Sequence, residues 1–132
     1  MKRVLLAEIF FIGISVAVLH KLALSLSLYW SVWWFDIPMH FLGGSLIALI
    51  TLFVIYDPKF FNFSDKKPVV IFSVALGTTL IIGLSWELWE LYMGFTNIYE
   101  DRIDTMADLI NDTLGAITVY LYSKNKICQK KN

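Results

Sequence analysis

Hydrophobic residues in this chain fall in long unbroken runs, not in the short alternating stretches of a soluble fold. Three runs cover about residues 4–29, 37–56 and 69–93. Each reaches the roughly 20 residues needed to cross a ~30 Å hydrocarbon core. A fourth segment, about 104–123, mixes polar and apolar positions at helical spacing. Asp101, Asp104, Asp108, Asn111, Gly115 and Thr118 fall on one side of that helix, and Met106, Ala107, Leu109, Ile110, Leu114, Ile117 and Val119 on the others. A polar stripe stays in lipid only when other helices shield it. The pattern therefore predicts a single transmembrane domain over residues 1–132, all-α, folded as a four-helix membrane bundle.

The connections follow from the same pattern. Short links join the first two spans (Trp30 to Asp36) and the last two (Gly94 to Ile103). Asp57-Pro58 and Ser64-Asp65-Lys66-Lys67-Pro68 bound a polar loop between the second and third spans. The first run has no small-residue cleavage site after it, so it reads as a retained helix.

Charge adds direction. Formal net charge is zero, with 11 basic and 11 acidic residues, yet the two signs segregate. Lys2, Arg3, Lys59, Lys66, Lys67, Lys124, Lys126, Lys130 and Lys131 all fall at one end of a four-span bundle. The positive-inside rule makes that end cytoplasmic and places both termini there. Tyr29, Trp30, Trp33, Trp34 and Phe35 then sit at the outer interface, where amphipathic rings settle. Asp36, Glu87, Glu90, Glu100, Asp101, Asp104, Asp108 and Asp112 cluster at that same outer end, with Lys21 and Arg102 the nearby cations.

Carboxylates at membrane depth are costly and mark sites. In Asp36-Ile-Pro-Met-His40-Phe-Leu-Gly43-Gly44, Asp36 reads as a helix N-cap, with His40, Gly43 and Ile47 on its face. In Ser85-Trp86-Glu87-Leu88-Trp89-Glu90, the two glutamates share a face with Gly83 and Gly94. His40, Glu87, Asp104 and Asp108 are the expected ligands of a divalent cation. Glu90 is the expected proton-transfer group, and Asn111 and His20 are expected to contact substrate. Oxygen-rich donors with one imidazole suit Mg²⁺, Mn²⁺, Ca²⁺ or Zn²⁺ alike. The single cysteine, Cys128, excludes a cysteine metal site and an intrachain disulfide. No basic groove with interleaved aromatics points to nucleic acid.

These residues resemble motifs of the VanZ-like and YjdF-like families of small bacterial integral membrane proteins. The likeness rests on Asp36…His40 with its following glycines, on Trp86-Glu87-x-x-Glu90, and on Asp104…Asp108…Asn111…Gly115. The resemblance implies a bacterial inner-membrane, cell-envelope setting and a shared polar site. It implies no particular reaction. Three functions remain open at this stage. One is a cation-dependent protein acting on a lipid or envelope-precursor head group at the outer leaflet. The second is a proton- or cation-coupled transporter or channel subunit, which with four spans requires an oligomer. The third is an accessory subunit whose acids pair with a partner's basic helix.

Overall fold

The computed structural model describes residues 2–57, 67–94 and 102–129, with side chains from 3 to 124 within those ranges. Lys59, Lys66, Glu100, Asp101, Lys130 and Lys131, together with the side chains of Lys2, Arg102 and Lys126, lie outside the described set. All regular structure among the described residues is helical. The order is α1 (Lys2–Ser25), α2 (Leu28–Ser31), α3 (Asp36–Tyr56), α4 (Pro68–Met93) and α5 (Arg102–Gln129).

The first apolar run does not make one helix. The chain turns at Ser27, whose φ of 54° lies in the left-handed region, and restarts as the single turn α2. That break carries Tyr29 and Trp30 off the axis of α1. At the far end of α4, Gly94 takes φ 73° and its N–H closes the last turn onto Glu90 and Leu91 carbonyls. Glycine adopts this conformation without a Cβ penalty.

α3 is the centre of the assembly: α1, α4 and α5 all pack against it, and α4 also packs on α5. The shared core holds Leu5, Ala48, Leu49, Leu52, Ile55, Ile71, Ala75, Ala116 and Val119. Buried positions on α4 recur every fourth residue, through Ile71, Ala75, Thr79, Gly83 and Glu87. Thr79 is fully buried and returns its hydroxyl to the Ala75 carbonyl, so its polarity is met within its own helix.

Two glycines fix the closest approach. A Cβ on Gly44 would run into the backbone of Asp112, and one on Gly115 would run into the Phe41 carbonyl and the Ser45 backbone. α3 and α5 therefore touch backbone to backbone, the small-residue mode by which helices associate where lipid competes for apolar side chains. Gly77, by contrast, has open space around it.

Outer faces are apolar. Phe10, Phe11, Ile81, Leu88, Ile103, Met106 and Ile110 are all more than half exposed. Three described helices are long and apolar enough to cross a membrane: Arg3–Ser25, Asp36–Tyr56 and Pro68–Met93. α5 is as long but too polar in composition to join them, so the expected fourth crossing stands on other grounds, taken up below.

At the end of the bundle away from Asp36, Tyr122 donates its hydroxyl to Glu8 Oε1 at 2.7 Å and Tyr120 donates to the Pro68 carbonyl at 3.0 Å. These bonds tie α5 to α1 and to the start of α4.

Candidate metal centre

The polar site gathers around His40, which lies one helical turn inside α3 and is 8% exposed. The expected N-cap role of Asp36 does not hold. Phe35 occupies that position, and no side chain caps the helix. Asp36 sits in the first turn, where helix polarity favours an acid. Its Oδ1 stands 3.7 Å from His40 Nε2, four residues on and on the same face.

Two other helices complete the ring. From α4, Glu87 Oε1 lies 4.0 Å from His40 Nε2; from α5, Asp108 Oδ2 lies 3.8 Å from it. On the opposite edge of the imidazole, Asp112 Oδ1 stands 3.6 Å from Nδ1. Glu87, Asp108 and Asp112 are all buried. Donor atoms of Asp36, His40 and Asp108 lie within 4.8 Å of one another.

Sequence periodicity places the polar edge of α5 slightly wrong. Asp104 and Thr118 are exposed, and Asn111 donates its amide to its own Ala107 carbonyl at 2.8 Å. The buried edge instead runs through Thr105, Asp108, Asp112, Gly115, Ala116 and Val119. The reason is the glycine contact: with Gly115 seated on Ser45 and Phe41, the rotation of α5 is set. Asp112 then comes inward and Asp104 outward. A reading at strict 3-4-4 spacing through Gly115 and Ala116 would have found Thr105 and Asp112.

Other expected residues sit around this centre. Glu90 is half-buried on α4, one turn beyond Glu87 toward the helix end. His20 does not enter the ring; its Nδ1 is hydrogen-bonded to the Tyr29 hydroxyl at 2.8 Å. Tyr29, on the α2 turn between spans, has its phenol pushed up to about 12, first by burial and then by the negative charges of Asp36 and Glu90. The pair thus stands beside the acidic cluster as an outer layer.

Thr105 shapes the donor set. Its hydroxyl donates to Glu87 Oε2 at 2.9 Å, while Glu87 Oε1 is buried with no hydrogen-bond partner and faces His40. A buried acceptor left unmatched costs free energy of order 1–3 kcal/mol or more for a charged group. Four carboxylates around one imidazole concentrate negative charge in a low-dielectric setting, which favours added positive charge there. Atoms that bind one divalent ion at about 2.0–2.3 Å stand roughly 3–4 Å apart, the range seen around His40 Nε2. The residues present therefore fit a cation held by Asp36, His40 and Asp108, with Glu87 Oε1 beside them, 4.0 Å from His40 Nε2. Replacing Thr105 by Val, which keeps shape and removes the hydroxyl, is expected to weaken Co²⁺ binding about tenfold, as loss of an outer-shell bond does, and a titration of the purified variant reads it directly.

Comparison with curated proteins and with solved structures finds no match. A family model described as "Predicted membrane protein (DUF2238)" matches residues 1–125, nearly the whole chain. With its apolar helices and buried His/Asp cluster, the chain belongs to this family of membrane proteins.

Proposed function

We propose that this protein binds a divalent cation at the outer end of a membrane bundle and uses it on the oxygen-bearing head group of a lipid or envelope precursor. The observation that carries the reading is the convergence of Asp36, Glu87 and Asp108, from three helices, within 4.0 Å of one imidazole nitrogen, with Glu87 Oε1 unpartnered among them. When bound, such an ion supplies charge stabilisation to a head-group oxygen. Glu90, one turn nearer the helix end, serves as the proton acceptor at the rim. Trp33, 87% exposed, and the Trp86–Trp89 pair, with ring centroids 5.0 Å apart, form an aromatic border suited to the head-group layer. That border supports a membrane setting; the bacterial inner membrane in the proposal comes from the VanZ-like and YjdF-like resemblance.

The same reading takes α5 as the fourth crossing. Its buried edge carries Asp108 and Asp112, while Ile103, Met106, Ile110, Leu114 and Leu121 form an exposed apolar stripe at helical spacing. A helix built this way hides those two acids against α3 and α4 and offers lipid its apolar side, with Asp104 exposed near its first turn. Four crossings put both termini on the basic, cytoplasmic side. The check uses thiol labelling. Cys128 should react with a membrane-impermeant maleimide only from the cytoplasmic side, and a cysteine placed at Trp33 in a Cys128→Ser background only from outside. Labelling of both from one side would overturn the topology.

The core beneath the site disfavours a conduction path. Below His40 the buried apolar residues Ala48, Leu49, Leu52, Ile71, Ala75, Ala116 and Val119 surround two buried hydroxyls, Ser45 and Thr79, each bonded to a carbonyl of its own helix. Binding is tested on the full chain purified in detergent: one equivalent of Co²⁺ or Mn²⁺ is expected by calorimetric titration. A wild-type chain that binds neither ion would remove the cation from the proposal.

A further inference from the structure

The two edges of the His40 ring face different surroundings. Nε2 looks toward Asp36, Glu87 and Asp108. Nδ1 faces Asp112, whose Oδ1 stands at 3.6 Å. Asp112 is 3% exposed and is seated by glycines: its backbone lies against Gly44, one carboxylate oxygen lies 4.0 Å from where a Cβ of Gly43 would sit, and the other fills the space a Cβ of Gly83 would take. Three glycines on two helices thus leave room for one carboxylate, aimed at one imidazole nitrogen. Packing alone explains a small residue at a helix crossing. It does not explain a buried acid in the slot.

We propose that Asp112 is the positioning residue of the centre: its carboxylate accepts a hydrogen bond from the Nδ1–H of His40, fixes the ring plane, and commits Nε2 to the three-carboxylate side. A histidine that binds a metal through one nitrogen needs its other N–H held by an acceptor, which sets both tautomer and ring orientation. Asp112 and Thr105, one on His40 and the other on Glu87, come from the same edge of α5. α5 therefore contributes Asp108 to the cation and an orienting group to each of the two ligands that α3 and α4 bury most deeply. The division also separates the five groups by task, with the imidazole and three acids facing the ion and one acid behind the ring. The role of Nε2 toward an ion rests on the function proposed above; the Asp112–His40 link does not.

The experiment has two arms on the full-length protein in detergent micelles. In the first, ¹⁵N-labelled histidine is followed without added cation. The chain has two histidines, so a His20→Gln variant assigns the signals. His40 should show a slowly exchanging, hydrogen-bonded proton on Nδ1. That signal should weaken in Asp112→Asn, which keeps the shape but loses the charge, and vanish in Asp112→Ala. Gly83→Ala keeps every ionisable group and displaces the carboxylate, so it should mimic Asp112→Asn. In the second arm, Co²⁺ titration of Asp112→Asn should show a Kd raised about 10- to 100-fold with unchanged stoichiometry.

An Nδ1 signal absent from the wild type, or unmoved in a monodisperse, helical Asp112→Ala or Asp112→Asn protein, overturns the proposal. So does an unchanged Co²⁺ affinity in Asp112→Asn when the wild type binds. If the wild type binds no Co²⁺, the cation reading fails by itself, and the first arm still decides whether Asp112 orients His40.

Discussion

Asp108→Asn is expected to lower Co²⁺ affinity by more than about 100-fold, beyond the 10- to 100-fold typical of losing an outer-shell partner. The substitution keeps the volume of a residue that is 3% exposed and removes a carboxylate oxygen 3.8 Å from His40 Nε2. Asp104→Asn, four residues earlier on α5, should change affinity only a few-fold. That side chain is exposed, and exposed charge pairs contribute about 0.2–1 kcal/mol. The comparison is informative because both acids lie on the stripe expected from sequence, and only the folded chain separates them. Titration of the two variants side by side checks it. Equal losses from both would mean that α5 is rotated from its observed setting, and no loss from Asp108→Asn would leave the centre without an ion.

Substituting Leu for Gly44 or Gly115 should abolish the folded state altogether, read as loss of a monodisperse, thermally cooperative species in detergent. At each position even a Cβ would meet backbone of the facing helix, which cannot rotate away as a side chain can. Overpacking a flexible site costs typically 1–3 kcal/mol, and a clash with backbone exceeds that by forcing the helices apart. Folded domains hold only about 5–15 kcal/mol in reserve. Separation of α3 from α5 would also carry Asp108 and Asp112 away from His40, so residual protein should bind no Co²⁺. Gly77→Ala is the matching control. With nothing near its Cβ and a helical backbone, it should be neutral or stabilising by about 0.5–1 kcal/mol. A Gly44→Leu protein as stable as wild type would show that the α3–α5 backbone contact is not what joins the bundle.

The helices themselves were legible from hydrophobic run length, because a span must be long and apolar whatever it packs against. α3 and α4 fall within a residue of the expected 37–56 and 69–93. The length of the first run allowed for a tilt or an outward bend near its end, but not for the position of the break at Ser27, since a left-handed serine has no composition signal of its own. The end of the bundle that holds the buried His/Asp cluster was also visible, through the crowding of acids in three motifs. His40, Glu87 and Asp108, chosen from those motifs, do meet. Asp112 and Thr105 escaped because the polar positions of α5 cover more than one face, and periodicity gives the width of a stripe but not its angle. His20 was expected to contact substrate; its hydrogen bond to Tyr29 follows from the turn at α2, which sequence does not predict.

Sequence alone therefore determined that this chain is an apolar helical protein with most of its acids at one end, since burial in lipid constrains each segment separately. Tertiary structure decided which acids face His40. That choice depends on the rotation of α5, and the rotation is set by Gly44 and Gly115 bringing two backbones into contact across positions far apart in the chain.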